Sequence, residues 1–158
     1  GNAYNLWFLG FGADITRQST PNQIFIGVII FLLFLIPILI YFTKSTFTFT
    51  RLVFTCFLVT FSSFLFLTNM HERYLYPIFP LLPLLYVLLP SVFSLGNFFC
   101  LSLIHWLNLY QLWYYPNLPT LKSFIETNNY LPGKYLTVGL FLFYFYFLIN
   151  YYQGEAKK

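Results

Sequence analysis

The sequence contains very few charged residues. Only 8% of its side chains are charged, eight Lys or Arg and four Asp or Glu, whereas an ordinary soluble domain has roughly 25%. So few charges do not cover the surface of a 158-residue globule that is 59% hydrophobic. The scarcity of charge excludes a water-soluble fold and predicts a protein whose solvent is the lipid bilayer.

The sequence lacks the residue patterns that are typical of nucleic-acid, disulfide and metal sites. The longest basic run is Lys157-Lys158, which is too short to indicate a nucleic-acid groove. The two cysteines, Cys56 and Cys100, lie in apolar runs without a CxxC or His-rich spacing, so we predict small hydrophobic side chains and not a disulfide framework. No Asp-x-Asp pair or His/Asp cluster occurs. We therefore predict no metal, no cofactor and no nucleic-acid partner.

The charge-free blocks of the sequence predict five membrane spans. Each block is close to the length that crosses about 30 Å of hydrocarbon as a helix, and the blocks cover residues 23–42, 52–70, 77–93, 98–115 and 135–152. Pro37 predicts a kink in the first span, and the prolines of the third span predict a distorted membrane helix. The predicted fold is an all-α multi-pass transmembrane helical bundle.

An aromatic stripe precedes the first span. Tyr4, Trp7, Phe8 and Phe11 follow the i, i+3, i+4, i+7 spacing of one helix face, and the segment is too short to cross a membrane. We predict an interfacial helix within an extracytoplasmic segment, residues 1–22, followed by the spans at 23–152 and a solvated tail at 153–158. The chain begins at Gly1 without a signal peptide, so we expect the C-terminal transmembrane part of a larger protein.

The basic residues give only a weak indication of orientation. Alternating spans place four Lys or Arg on each side of the membrane. Because those on one side lie in short loops or the tail, we predict a cytoplasmic C-terminus. Residues 1–23, 70–76 and the Pro- and Asn-rich loop 116–134 then face outward.

Three consecutive ionisable residues, His71, Glu72 and Arg73, lie between two predicted spans. Charges near lipid are energetically costly and commonly functional. Arg73 offers a planar fork of donors that matches phosphate, and His71 adds a further donor. We predict a phosphate site at a tight turn, with a helix starting at Pro77 and Glu72 either orienting one of its neighbours or pairing with Arg73. The alternative is that these charges only anchor the end of a helix.

Two patterns inside the spans indicate which sides face the bundle. Cys56, Thr60 and Ser63 form a small and polar stripe that leads to His71, and such stripes usually mark packed helix faces. We therefore expect His71 to face the bundle. His105 lies inside the fourth span, where we predict a buried histidine that is hydrogen-bonded to a neighbour.

Two motifs carry a family resemblance. The run Asn69-Met70-His71-Glu72-Arg73-Tyr74-Leu75-Tyr76-Pro77, together with Asn2-Ala3-Tyr4-Asn5-Leu6-Trp7, resembles the C-terminal half of bacterial membrane glycosyltransferases of the GT-C class. The similarity is to the mannosyltransferase-like proteins related to the eukaryotic enzyme that adds the second mannose of the GPI anchor. The resemblance implies the transfer of a hexosyl residue, with mannose as the first expectation. The donor would be a polyprenyl-phosphate sugar, and the acceptor an extracytoplasmic lipid or glycan.

The resemblance also implies roles for residues. The substrate-binding residues would be His71, Glu72, Arg73, Tyr74, Asn2 and Asn5, with His71 and Arg73 on the carrier phosphate. The general base of such enzymes is an acidic residue in a first extracytoplasmic loop, which this chain does not contain. The catalytic residue is therefore unassigned, and we expect the chain to be inactive alone.

Two other functions are compatible with the sequence. A transporter or flippase of a lipid-linked saccharide would also use a charged site at the membrane edge. In a non-catalytic membrane assembly subunit, the same charges would serve as anchors. An acidic residue in a first extracytoplasmic loop upstream would favour the enzyme. For each of these functions, we expect a multi-pass integral protein of a bacterial plasma membrane.

Overall fold

The computed structural model describes residues 3–11 and 19–154, and all regular secondary structure in this part of the chain is helical. This result confirms the all-α prediction. The elements in chain order are α1 (Leu6–Phe11), α2 (Pro21–Lys44), α3 (Phe49–Phe66), a 3-10 segment (Glu72–Ile78), α4 (Leu81–Leu88), α5 (Leu95–Trp113) and α6 (Pro119–Gln153).

Hydroxyl side chains start three of the long helices. Thr20 and Gln23 form a reciprocal capping box at the start of α2, in which each side chain bonds the backbone of the other residue. The hydroxyls of Thr48 and Ser94 accept hydrogen bonds from backbone amides three residues later, at the starts of α3 and α5. These caps satisfy amides that have no partner within the helix.

Three helices of the described part are long and apolar enough to cross a membrane, namely α2, α3 and α6. Their surroundings differ, because 56% of the most apolar window of α3 is buried in protein and only 11% of that of α2. The helix α3 is therefore central. The helix α2 presents most of its apolar side chains to the surroundings, as expected of a helix that faces lipid.

The remaining predicted elements differ from the sequence prediction. The third block is not one long helix, since it divides into the 3-10 segment and the eight-residue α4. The fourth block forms α5, which is not among the three candidate spans. The predicted loop 116–134 is largely helical, because α6 already begins at Pro119. Its backbone leaves helical geometry only at Thr127–Tyr130, where three residues have positive φ.

Aromatic rings fill the core between α3 and α6. Phe57 lies 5.3 Å from Phe93 and 5.1 Å from Phe147 between ring centroids, and both contacts are edge-to-face. Two buried hydroxyl pairs cross the same interface, Thr55 with Tyr151 at 2.6 Å and Ser62 with Tyr144 at 2.7 Å. Polar pairs of this kind hold membrane helices together where apolar burial alone does not.

The small stripe of α3 does not face the bundle, contrary to prediction. Cys56 is exposed, and Thr60 and Ser63 are only partly buried. The opposite face of α3 carries large rings that are fully buried, including Phe57 and Phe61. A ring buries far more apolar area than a serine or cysteine side chain. The neighbouring described helices therefore pack against the aromatic face of α3.

The aromatic stripe of α1 also packs differently from the prediction. Tyr4 and Phe8 are 0% and 2% exposed, so these two rings lie inside the protein and not in a membrane interface. They pack against α6 at Gly133, where an added Cβ would lie only 2.8 Å from a Tyr4 ring atom. Glycine thus permits α1 and α6 to approach each other closely.

Candidate functional site

The N-terminal segment fixes the end of α3 in front of the His71 turn. The last carbonyl groups of a helix have no partner within it. The indole Nε1 of Trp7 donates to the Phe66 carbonyl at 2.9 Å, and Nδ2 of Asn5 donates to the Leu67 carbonyl at 3.3 Å. The N-terminal motif therefore packs against the end of α3, two residues before the second motif begins at Asn69.

Asn5 is fully used by these structural contacts. Its Oδ1 accepts from the backbone amides of Trp7 and Phe8, as the N-cap of α1, and the side chain is buried. We conclude that Asn5 positions the turn, whereas a direct contact between Asn5 and a substrate stays a prediction. Asn2, the other predicted residue of this motif, lies outside the described residues.

The His71 turn leads into a 3-10 helix, in which every third side chain lies on the same face. Asn69 adopts a left-handed conformation with φ of 56°, which asparagine tolerates, and its Oδ1 accepts from the Ser19 hydroxyl at 2.8 Å. A 3-10 helix then begins at Glu72, five residues before the predicted helix start at Pro77. Since such a helix has three residues per turn, residues i and i+3 share a face.

This period explains which residues point outward. Glu72, Leu75 and Ile78 form the inner row and are 2%, 0% and 0% exposed. The other two rows point outward, and His71, Arg73, Tyr74 and Tyr76 are all exposed. The rings of His71 and Tyr74 are neighbours, with centroids 5.4 Å apart. We call His71, Arg73 and Tyr74 the outer patch.

The predicted roles divide accordingly. His71 and Arg73 are both accessible to a ligand, although His71 does not face the bundle as predicted. Among the described residues no hydrogen bond or ion pair joins Glu72 to either of them, and Glu72 Oε2 is buried without a hydrogen-bond partner. The predicted pairing of Glu72 with Arg73 is wrong, because neighbouring side chains of a 3-10 helix diverge by about 120°.

A second set of polar residues, on α5, lies behind the 3-10 segment. The His105 ring is 5% exposed and lies against the rings of Tyr76 and Phe79, with centroids 4.7 Å and 4.8 Å away. One turn further along α5, the Asn108 side chain is fully buried, and its Oδ1 accepts from the Tyr4 amide at 3.1 Å. The site therefore includes residues that the sequence did not assign to it.

His105 and Asn108 retain unused polar atoms. Neither ring nitrogen of His105 has a hydrogen-bond partner, so the predicted bond to a neighbour is wrong. The Nδ2 group of Asn108 is also unpaired. The sequence signal for this face was the three-residue spacing of His105, Asn108 and Gln111 in an otherwise apolar helix. We call Glu72, His105 and Asn108 the inner polar cluster.

These contacts bring the N-terminal segment together with three helices at one end of the bundle. It contacts the end of α3 through Asn5, α5 through Tyr4 and α6 at Gly133. At the opposite end, the Tyr41 hydroxyl donates to the Tyr152 carbonyl at 3.3 Å, close to where α2 ends at Lys44. That the N-terminal segment, the His71 turn and the loop 116–134 share one side of the membrane stays a prediction.

A cleft of about 580 Å³ lies at the start of α6. It is lined by polar residues including Lys122 and Glu126. The Tyr114 hydroxyl donates to Glu126 Oε1 at 2.9 Å, and Lys122 Nζ lies 4.7 Å from the Tyr114 ring centroid. Burial and this hydrogen bond raise the pKa of Tyr114 above its ordinary value. Lys122 and Glu126 of the cleft are therefore both engaged with Tyr114.

Comparison with known proteins gives no relative. No family model, curated protein or solved structure matches the chain. The resemblance carried by the two motifs therefore stays a prediction.

Proposed function

We propose that the chain provides the donor-phosphate site of a membrane glycosyltransferase. In this proposal, a hexosyl residue, with mannose as the first expectation, moves from a polyprenyl-phosphate carrier to a lipid or glycan acceptor. The transfer takes place on the extracytoplasmic side of a bacterial plasma membrane. The general base belongs to a part of the enzyme outside this chain.

One observation carries the proposal: His71 and Arg73 are both exposed at the turn, and the acidic Glu72 between them in the sequence is buried. Both donors are therefore accessible to a phosphate anion, and the carboxylate between them in the sequence points inward. Arg73 can bind two phosphate oxygens at once. Such fixed donors stabilise the charge that develops on a departing phosphate.

The position of the outer patch also supports a lipid-linked donor. It directly follows α3, which is long and apolar enough to cross the membrane, and Tyr74 beside it is 45% exposed. Aromatic side chains with a polar tip are common at the boundary between hydrocarbon and water. A carrier phosphate lies at the same depth when its polyprenyl chain is in the bilayer.

The test is transfer from a radiolabelled polyprenyl-phosphate sugar by the full-length protein. We expect Arg73→Ala to reduce the rate by about 100-fold or more, as when one oxyanion donor is removed. We expect Arg73→Lys to retain part of the activity, since lysine keeps the charge but loses the planar fork. Lys44→Ala is the matched control, because Lys44 is an exposed cation at the other end of the bundle. Full transfer by Arg73→Ala would contradict the proposal.

A further inference from the structure

The inner polar cluster has hydrogen-bonding capacity that the protein itself does not use. The three side chains are at least nine-tenths buried. Even so, four of their polar atoms have no hydrogen-bond partner: Glu72 Oε2, both ring nitrogens of His105 and Nδ2 of Asn108. Proteins rarely leave buried polar atoms unpaired, and those that do so commonly bind water or a ligand there. Three such side chains on two elements that pack against each other indicate a missing binding partner.

The three side chains lie on two elements that pack against each other, the 3-10 segment and α5. His105 touches Tyr76 and Phe79 of that region. From His105 to Asn108, α5 advances about 4.5 Å, and from Tyr76 back to Glu72 the 3-10 segment advances about 8 Å. Both steps lead toward the end of the bundle where the N-terminal segment binds Asn108 and Leu67.

We propose that the inner polar cluster binds hydroxyl groups of the transferred sugar; this proposal rests on the proposed function. The cluster offers a carboxylate acceptor, an amide donor and an imidazole that can donate or accept. The neighbouring Tyr76 and Phe79 rings add apolar faces. Neutral hydroxyl groups fit this mixture, whereas a divalent cation requires more oxygen ligands than one carboxylate and one amide provide.

Tyr76 gives the sugar a route to the cluster. Its ring covers His105 edge-on, yet the residue is 52% exposed, so rotation of this one side chain uncovers the imidazole. Tyr76 lies three residues after Arg73 and therefore on the same face of the 3-10 segment. A sugar that enters beneath Tyr76 is adjacent to the phosphate that Arg73 holds. The outer patch and the inner polar cluster thus match the two halves of a phosphosugar.

The test compares two ligands, polyprenyl-phosphate mannose and sugar-free polyprenyl phosphate, binding to the full-length protein in nanodiscs. We expect Glu72→Gln to weaken binding of the sugar-bearing lipid by about 10-fold or more, while the affinity for the sugar-free lipid stays within about twofold. Asn108→Asp is the second variant, because it keeps the Oδ1 acceptor for the Tyr4 amide and replaces the free donor by a carboxylate oxygen. Arg73→Ala should weaken binding of both lipids.

The outcomes separate this proposal from the proposed function. Wild-type protein that binds neither lipid would overturn the proposed function. Wild-type protein that binds both lipids, with Glu72→Gln and Asn108→Asp silent or equally harmful to both, would overturn the sugar site alone. A midpoint of thermal unfolding equal to that of wild type shows that a variant is folded. If Glu72→Gln fails this control, Asn108→Asp decides.

Discussion

Buried polar groups are hydrogen-bonded to each other across the α3–α6 interface. On the 3-10 segment and α5, several buried polar atoms have no hydrogen-bond partner. In the first, the Ser62 hydroxyl donates to the Leu58 carbonyl and meets the Tyr144 hydroxyl, so the pair is internally satisfied. Thr55 and Tyr151 repeat the arrangement two turns away. In the second interface, the inner polar cluster has atoms without any hydrogen-bond partner.

The difference separates polar residues that hold the fold from those that are available to a ligand. An unpaired buried group costs about 1–3 kcal/mol of stability, a cost that a purely structural interface would be expected to avoid. The α3–α6 interface shows that this chain can pair its buried hydroxyls well. The unpaired atoms of the other interface are therefore best explained by function.

The largest expected loss of stability comes from Gly133→Ala. A Cβ in Gly133→Ala would meet ring atoms of Tyr4 and Phe8 at 2.8–3.1 Å, and neither buried ring has room to move away. We expect a loss of about 1–3 kcal/mol from overpacking, together with displacement of Tyr4 from Asn108. Gly139→Ala is the matched control, since its Cβ would lie 3.7 Å from Ile104 in ordinary contact, and any gain in helix propensity applies to both variants.

Thermal unfolding of the full-length protein in detergent measures this difference. Gly133→Ala should unfold at a lower temperature than Gly139→Ala. Equal midpoints would mean that the close approach of α1 and α6 does not stabilise the end of the bundle that carries the site.

A smaller effect is expected from breaking a satisfied pair. Because Ser62 donates to Leu58, the Tyr144 hydroxyl is the donor within the pair. Ser62→Ala removes its acceptor and should cost about 1 kcal/mol. Tyr144→Phe should cost less, because Ser62 keeps its bond to Leu58. Chemical or thermal unfolding of the two variants side by side checks this order, and the reverse order would contradict the assignment of the donor.

The sequence predicts the long apolar helices α2 and α3 well, for a physical reason. Long charge-free blocks have no alternative to apolar surroundings, so α2 and α3 form where the hydropathy indicates. A cluster of charges among such blocks is conspicuous, and for this reason we predict the site at the His71 turn. Hydropathy did not predict which face of α3 is buried. That face depends on the side chains of the neighbouring helices, which the sequence of α3 alone does not contain.

The spacing of His105, Asn108 and Gln111 indicates the polar face of α5, but the sequence does not show that Glu72 points inward as well. Whether Glu72 points inward depends on three residues per turn in place of 3.6, a choice that local sequence does not reveal. The environment of Asn108 depends on Tyr4, 104 residues away in the chain. Contacts over such separations are made by tertiary packing, so no periodicity in the sequence records them.

The smallest expected effect, and the most informative for the comparison, comes from His105→Phe. Phenylalanine keeps the ring that packs against Tyr76 and Phe79 and removes two unpaired nitrogens. Replacing an unsatisfied buried polar group by an apolar group of similar shape is nearly neutral or stabilising. We therefore expect stability in detergent, without donor lipid, to change by less than about 0.5 kcal/mol or to rise. A loss above about 1 kcal/mol would show that the imidazole already has a hydrogen-bond partner in the unliganded protein, and the contrast between the two interfaces would then disappear.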